Sequence, residues 1–129
     1  MLTRKFKVLV VEDDRYISEI ISEILKEFEL QLSLAYNLKQ ARENILIENP
    51  DIVLSDLMLP DGNGISLAEY IYKRPTNRKI PIVAISAFVD KETIDKALQS
   101  GFDDFIGKPF KIEEIKLIVK KYINLINYQ

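Results

Sequence analysis

The chain lacks two residue types that carry much of protein chemistry, because its 129 residues include neither cysteine nor histidine. Without cysteine it can form no disulfide bond and no thiolate metal site, which agrees with a reducing compartment. Without histidine it has no imidazole to serve as a general base, a transition-metal ligand or a phosphodonor. Any chemistry here must therefore rest on carboxylates, hydroxyls and lysines.

Long apolar runs and an excess of one charge are also missing. No apolar stretch approaches the roughly 18 residues that a membrane span needs, and the initial MLTRKFKV leads into a strand pattern without a signal-peptide core. The 18 basic and 20 acidic residues are spread along the chain and give a net charge of −2, which is no footprint for nucleic acid. We expect a cytoplasmic protein that binds no membrane and, by this chain alone, no nucleic acid.

The composition is otherwise that of an ordinary globular domain. Hydrophobic residues make up 47% and charged residues 29% of the chain, which is enough apolar material to bury a core. A length of 129 residues fits one domain. We therefore predict a single domain over residues 1–129.

Short apolar runs alternate with segments of helical period. Runs without polar alternation suit strands buried on both faces, and strand–helix alternation gives right-handed crossovers onto a parallel sheet, so the pattern predicts a doubly wound α/β domain of five βα units. The predicted strands are residues 6–11, 32–36, 51–56, 80–86 and 104–107. The predicted core stripes of the helices are Ile17, Ile20, Ile21, Ile24, Leu25 and Phe28; Leu38, Ala41, Ile45 and Leu46; Leu67, Ala68, Ile71 and Tyr72; Ile94, Ala97 and Leu98; and Ile112, Ile115, Ile118, Val119, Tyr122 and Ile126. Because the fourth stripe is the thinnest, the fourth helix should be the least anchored.

Polar residues stand at the carboxyl ends of four of these strands. In an open parallel sheet those ends form the edge where ligands bind. The residues in question are Glu12, Asp13 and Asp14 after the first strand, Asp56 at the end of the third, Ser86 at the end of the fourth and Lys108 after the fifth. We expect these acids, the hydroxyl and the lysine to converge on one edge of the sheet.

Such a cluster suits phosphoryl chemistry assisted by a divalent cation. Carboxylates a few Å apart repel one another, so either a proton is retained or a cation is bound. Mg²⁺ commonly takes one or two carboxylates, waters and a phosphate oxygen, and is the cofactor that we predict. An ionised Asp56 can then attack a phosphoryl group to give an acyl phosphate, while Ser86 and Lys108 hold the phosphoryl oxygens.

Four motifs make the chain resemble the receiver domain of two-component response regulators, of the chemotaxis-regulator type. They are VLVVEDD (8–14), DIVLSDLMLPDGNGISL (51–67), PIVAISA (81–87) and FDDFIGKPF (102–110), and they cover nearly the whole chain in the right order. A lone acidic pair or a lone KP dipeptide would be a weak signal, whereas four motifs in order and spacing are highly specific. The resemblance implies a flavodoxin-like fold with five parallel strands in the order 2-1-3-4-5.

The resemblance assigns roles to the acids. It implies that Asp56 is the phosphoacceptor, that Asp13 is a direct Mg²⁺ ligand and that Glu12 acts on the metal largely through water. It also implies that Met58, two residues after the acceptor, offers its backbone carbonyl to the metal, so that its side-chain type does not matter for that role.

The other matching positions concern the phosphate and a conformational switch. Ser86 replaces the commoner Thr and keeps the hydroxyl, and Lys108 is the phosphate-binding lysine, with the bond to Pro109 expected to be cis. Phe105 falls at the switch aromatic. The implied mechanism is that the phosphoryl group attracts the Ser86 hydroxyl, which lets the Phe105 ring turn inward and changes the surface of the fourth helix, fifth strand and fifth helix.

Partners follow from the same resemblance. Because the chain has no histidine, the phosphoryl group must come from a histidine kinase, a His-containing phosphotransfer protein or a small phosphodonor. The implied target is a downstream protein or an attached output domain. The chain would be a phosphoacceptor switch that assists its own phosphorylation and dephosphorylation, not an enzyme, and it could be either a stand-alone regulator or part of a longer protein.

Four residues beside the predicted site are interpreted separately. Asp14 is predicted to begin the first helix, where Asp is favoured, and Asp61 is assigned to turn chemistry. Met58 and Phe88 flank the acceptor with bulky apolar side chains, where a polar side chain could orient an attacking water. We therefore predict slow intrinsic dephosphorylation.

Three other classes of protein compete with this interpretation. A flavodoxin-like nucleotide binder would want a Ser/Thr/Gly phosphate loop after the first strand, where three acids would repel phosphate. A haloacid-dehalogenase-type phosphatase expects a second Asp two positions after its nucleophile, where this chain has Met58. A phosphorylation-independent pseudo-receiver, acting as a protein-interaction module, would lack one of the five site residues. None of the five is missing, and the pseudo-receiver is kept as the alternative.

Overall fold

A computed structural model describes residues 4–76 and 78–127, in which five parallel strands form one sheet with helices on both faces. The elements are β1 (Phe6–Val11), α1 (Arg15–Leu25), β2 (Leu30–Ala35), α2 (Leu38–Glu48), β3 (Ile52–Asp56), α3 (Ile65–Tyr72), β4 (Ile82–Ser86), α4 (Lys91–Gln99), β5 (Asp104–Gly107) and α5 (Ile112–Asn127). The strand order is 2-1-3-4-5 and all four pairings are parallel. The predicted doubly wound, flavodoxin-like (βα)5 sheet is therefore confirmed.

The register of the sheet brings the carboxyl ends of neighbouring strands level with one another. Asp56 pairs with Ile85, and Ser86 pairs with Gly107. Because the strands are parallel, the residues that follow β1, β3, β4 and β5 all lie along one edge. This edge is where the sequence predicts the functional site.

Alternate residues of the central strands pack on opposite faces of the sheet, so the core is divided in two. In β1, for example, Leu9 and Val11 belong to one apolar cluster, whereas Val8 and Val10 belong to the other. The first cluster, on the face of α2, α3 and α4, includes Ile45, Leu67, Ile71, Ala97 and Phe102. The second cluster, on the face of α1 and α5, includes Ile21, Leu25, Ile115, Val119 and Tyr122.

Carboxylates and an amide cap the starts of three helices. Asp14 accepts hydrogen bonds from the Tyr16 and Ile17 N–H groups, which confirms its predicted place at the start of α1. Asn37 and Asp90 cap α2 and α4 in the same way. Each side chain satisfies backbone donors that have no partner inside the helix.

Asp61 lies in a turn, between Leu59 and Gly62, as the sequence suggested, and its side chain has a further role. Its two carboxylate oxygens accept hydrogen bonds from the Leu38 and Lys39 N–H groups, at 2.8 and 3.1 Å. The loop after β3 is thereby bound to the first turn of α2. The reason is again the free backbone donors at a helix start, which attract a carboxylate that is distant in sequence.

Several boundaries and faces differ from the sequence prediction. A short antiparallel pair, Met58–Leu59 with Gly62–Asn63, was not expected. Phe28 lies beyond the end of α1, and Leu46 and Tyr72 are exposed although their helical stripes placed them in the core. Ile45 takes the buried position on α2, and the neighbouring Leu46 is turned away because successive helical residues lie about 100° apart.

The fourth helix is thinly anchored, as its sparse stripe predicted. Ala97 is the one buried residue of α4, whereas α1 buries Ser18, Ile21, Ile24 and Leu25. Residues 1–3, 77, 128 and 129 lie outside the described residues. Among the residues that the structure describes, no helix combines the length and apolar character that crossing a membrane would require.

Candidate functional site

Three carboxylates meet at the predicted edge of the sheet. Glu12 directly follows β1 and is buried, Asp56 ends β3 and is half-buried, and Asp13 is exposed. One carboxylate oxygen from each of these residues lies within 4.8 Å of the other two. The structure therefore brings together the acids that the sequence predicted as one cluster, and leaves Asp14 on the adjacent helix.

Lys108 joins two of these acids. Its Nζ donates hydrogen bonds to Glu12 Oε1 at 2.5 Å and to Asp56 Oδ2 at 2.9 Å, and its side chain is only 15% exposed. The Lys108 backbone N–H donates to the Ser86 carbonyl, which fixes the residue beside β4. The bond to Pro109 is cis, as expected. One ammonium group thus faces a cluster of three carboxylates.

Burial and charge shift the proton affinities within this cluster. Burial raises the pKa of Glu12 to about 7; the Asp56 charge acts in the same direction, and Lys108 opposes it. Burial alone would lower the pKa of Lys108, but its hydrogen bonds and charge interactions with Asp56 and Glu12 outweigh burial and raise it. The lysine is therefore held as an ammonium ion at the carboxylates.

The loop after β3 holds Asp56 closely. The Met58 N–H donates to Asp56 Oδ1 at 3.2 Å, and the Ser55 hydroxyl donates to the Asp56 carbonyl at 2.9 Å. Gly64 packs against the same carbonyl, because a Cβ at position 64 would lie 2.3 Å from the Asp56 oxygen. Sequence reasoning missed this contact, although a glycine within DGNG directly after the acceptor strand was the available signal.

Ser86 and Phe105 lie on the neighbouring strands. Ser86 is fully buried at the end of β4, and its Oγ accepts a hydrogen bond from the Phe88 N–H at 3.1 Å. Phe105 in β5 is half-buried and packs against the first apolar cluster. Among the residues that the structure describes, no hydrogen bond joins the Ser86 hydroxyl to Asp56 or to the Lys108 ammonium, so the Ser86 side chain shares the edge with the acids without bonding to them.

Two apolar residues that follow Asp56 and Ser86 by two positions, Met58 and Phe88, have exposed side chains. Met58 is 60% exposed and Phe88 is 51% exposed, and both line a shallow cavity of about 390 Å³ together with Leu57, Asn63 and Ile65. The Met58 backbone N–H bonds to Asp56.

The donor set fits a hard divalent cation. Three carboxylates provide oxygen atoms that lie close enough together to bind one ion, and a single lysine offsets part of their negative charge. Oxygen-only donors with negative charge are what Mg²⁺ prefers, whereas the absence of cysteine and histidine disfavours softer metals. Glu12, Asp13 and Asp56 are the residues that could hold such an ion.

Solved structures of response regulators have the same fold. A two-component response regulator from Clostridium difficile superimposes with a TM-score of 0.88 at 28% sequence identity, covering 95% of this chain and 99% of that chain. The receiver domain of the Francisella response regulator 1452 gives a TM-score of 0.84 at 32% identity, covering 93% and 98%.

Sequence comparisons agree with the structural ones. The transcriptional regulatory protein KdpE of Staphylococcus aureus is 35% identical over 114 residues, which are 88% of this chain but 48% of that protein. The response regulator protein PilR of Pseudomonas aeruginosa is 34% identical over 94% of this chain and 27% of its own length, so the chain spans half or less of these relatives. The family model described as the response regulator receiver domain matches residues 8–120. The chain therefore belongs to the receiver domains of two-component response regulators.

Proposed function

We propose that this receiver domain accepts a phosphoryl group on Asp56 and that phosphorylation changes the conformation of a surface that a partner binds. The observation that carries the proposal is the position of the Asp56 carboxylate, at the sheet edge, beside Glu12 and Asp13 and in contact with Lys108. A carboxylate nucleophile, an acidic cation site and a mobile ammonium are the parts that phosphoryl transfer requires.

The transfer step uses one oxygen of Asp56. That oxygen attacks the phosphorus atom of the donor, the bond between phosphorus and the donor nitrogen or oxygen breaks, and its electron pair leaves with the donor. The Lys108 ammonium, which bonds to Asp56 and Glu12 in this structure, moves to a phosphoryl oxygen and offsets the new charge. The Ser86 hydroxyl donates a hydrogen bond to another phosphoryl oxygen.

Mg²⁺ is the proposed cofactor. Glu12, Asp13, Asp56 and the Met58 backbone carbonyl would hold it, with Glu12 acting through water. When bound, the ion offsets the negative charge of the carboxylates and of the incoming phosphoryl oxygens. The three acids are close enough together to share one ion.

The proposed output is a rearrangement around Ser86 and Phe105. Recruitment of the Ser86 hydroxyl by the phosphoryl group draws in the loop after β4, and the half-buried Phe105 ring turns further into the first apolar cluster. The surface of α4, β5 and α5 changes as a result. The thin anchoring of α4 through Ala97 supports this choice of moving element.

The proposed partners are a protein that donates the phosphoryl group and a protein or domain that responds to the phosphorylated state. A histidine kinase or a His-containing phosphotransfer protein supplies the phosphoryl group, because the chain has no histidine of its own. A downstream protein or an attached output domain reads the switched surface. Such a pathway places the domain in the cytoplasm.

Incubation with acetyl phosphate and Mg²⁺, followed by intact mass measurement, tests the proposal. We expect a gain of one phosphoryl group by the unmodified protein and by Asp14→Asn, a control that removes a neighbouring acid but keeps the helix cap. We expect no gain by Asp56→Ala. A gain that survives Asp56→Ala would overturn the assignment of the acceptor, and no gain by the unmodified protein would favour a phosphorylation-independent interaction module.

A further inference from the structure

A cavity of about 500 Å³ opens at the opposite edge of the sheet from the acids, beyond the amino end of β4. Its walls come from the ends of α3 and α4 and from the residues before β4. Six aliphatic or aromatic residues form its apolar part: Ala68, Ile71, Ile80, Ile82, Leu98 and Phe102. Both the volume and the apolar character are those of small-molecule sites, which run to about 300–1,000 Å³.

Three cations also line this cavity, and two of them are already paired. Arg78 bonds to the buried carboxylate of Asp51, and Lys79 pairs with Asp103 at 2.7 Å. Lys79 is therefore offset by a carboxylate of its own, whereas Arg78 shares the Asp51 carboxylate with Arg4. Since Asp103 is paired with Lys79, its negative charge does not favour a cationic ligand.

Arg74 is the exception. Its guanidinium makes no ion pair with any carboxylate in the described parts of the chain, and its Nε is buried without a hydrogen-bond partner. Burial lowers the pKa of Arg74 below its usual value; Tyr70 opposes this shift and the positive charge of Arg78 adds to it. A buried donor without an acceptor is costly, and arginine stays charged in proteins, so this group gains more than its neighbours from an anion.

We propose that the cavity binds a small amphipathic organic anion, an aromatic or branched aliphatic carboxylate. Its apolar body packs against Ile71, Leu98 and Phe102, and its carboxylate pairs with Arg74. A neutral ligand of the same shape would leave the guanidinium unpaired, and a cation would be repelled by it. This proposal does not depend on phosphorylation of Asp56.

A pair of probes matched in shape tests the proposal on the unmodified protein. 2-Naphthoate and 2-naphthamide share a ring system, and only the first carries a charge. In titrations followed by ¹H–¹⁵N correlation spectra, we expect 2-naphthoate to give saturable shifts at the amides of Ile71, Leu98 and Phe102. We expect 2-naphthamide to bind at least about tenfold more weakly, because its neutral amide oxygen accepts a weaker hydrogen bond from a guanidinium than a carboxylate does.

A pair of variants tests whether Arg74 is the cation that binds the carboxylate of the ligand. Arg74→Gln should weaken the binding of 2-naphthoate at least about tenfold, whereas Lys73→Gln should leave it within about twofold. Lys73 is the matched control because it is the neighbouring cation, is exposed and does not line the cavity. The spectrum of each variant without ligand shows whether it is folded.

Three results would overturn the proposal. They are the absence of saturable shifts at the three amides, equal binding of the two probes, and equal loss of affinity in the two variants. Since the probe comparison uses the unmodified protein, it decides the question even when Arg74→Gln does not fold.

Discussion

At the scale of single residues, the most constrained charge in the described chain lies far from the functional site. The Asp51 carboxylate is fully buried and accepts two hydrogen bonds from Arg4 at 2.7 and 2.8 Å, a third from the Lys7 N–H at 2.7 Å and a fourth from Arg78. Burial would raise the pKa of Asp51, but these partners outweigh it and hold the pKa below its usual range. The ionised form is therefore favoured by folding.

This arrangement predicts how stability depends on acid. Because the folded pKa of Asp51 is depressed, its contribution is present above the unfolded pKa of about 3.9 and is lost as the pH falls through the folded pKa. Asp51→Asn should lower the free energy of unfolding by about 3 kcal/mol at pH 7, and by much less near pH 2. Urea unfolding of both proteins at the two pH values measures the difference, and an equal gap at both would contradict the role assigned to Asp51.

A second prediction at this scale concerns Met58, Phe88 and the rate of dephosphorylation. Both side chains are apolar and exposed, two positions after Asp56 and Ser86 respectively, so neither can orient a water for attack on a phosphoryl group at Asp56. We expect the phosphorylated domain to lose its phosphate slowly, and Met58→Asn to shorten its lifetime at least severalfold. Mass spectrometry of the isolated phosphoprotein in Mg²⁺ measures both lifetimes. Val89→Thr, a change at another exposed position of the loop after β4, serves as the control, and loss within seconds from the unmodified protein would contradict the prediction.

At the scale of elements, the conformation of the loop between β3 and α3 requires a glycine at position 64. A Cβ at Gly64 would lie 2.3 Å from the Asp56 carbonyl oxygen, a backbone atom, whereas a Cβ at Gly107 would meet the flexible Val89 side chain at 2.8 Å. Gly64→Ala should therefore lower the free energy of unfolding by roughly 2–3 kcal/mol and Gly107→Ala by less. Chemical unfolding of the two variants compares the costs, and the reverse order would show that the loop after β3 can move freely.

The start of α4 gives a second prediction at this scale. Asp90 caps the helix by accepting from the Thr93 N–H at 3.0 Å, and only Ala97 anchors the helix to the core. Removing the cap in Asp90→Ala should cost about 1 kcal/mol, which corresponds to roughly fivefold faster hydrogen exchange of the α4 amides if opening is local. Asp90→Asn keeps a capping oxygen and should exchange at the original rate. Uniform acceleration over all helices of the variant would contradict local opening.

The elements show which parts of a fold can be predicted from sequence. The central strands β1, β3 and β4 were predictable because they are largely apolar and buried on both faces, and the predicted bounds of β1 and β5 are those of the structure. The start of β2 at Leu30 was not, because Phe28 continued the helical period of α1 past the point where the chain leaves the helix. The exposure of Leu46 depends on how α2 is rotated against its neighbours, which a stripe of adjacent apolar residues does not define.

At the scale of the whole molecule, three negative charges and one positive charge meet at one end of the sheet. A cation bound there offsets repulsion that only the folded chain imposes. At pH 8, we expect Mg²⁺ at a hundredfold excess over its Kd to raise the free energy of unfolding by about 2.7 kcal/mol. Thermal unfolding with Mg²⁺ and with EDTA measures this gain. Asp13→Asn should lose most of it and Asp14→Asn should keep it, whereas equal gains in the two variants would place the ion elsewhere.

The position of the functional site was easier to predict from the sequence than the individual contacts between side chains. Residues at the carboxyl ends of parallel strands must share an edge, so the meeting of Glu12, Asp56 and Lys108 followed from the strand pattern. The pairing of Asp51 with Arg4 did not, because 47 residues separate them and Arg4 lies in none of the motifs. The same holds for the bond from Asp61 to α2, which depends on how a loop and a helix meet in space.

The division of the core into two clusters has a consequence for protein engineering. Ile21 and Ile115 lie on one face of the sheet, and Ile45 and Ile71 lie on the other. Substitutions without shared partners have additive effects on stability, so variants selected separately for the two faces can be combined without testing every pair. Within the first cluster the rule fails, because the cavity wall and Phe105 share neighbours there. A stabilised version of this domain is therefore best built from the α1 side of the second cluster, which contains neither the cavity nor an element of the proposed switch surface.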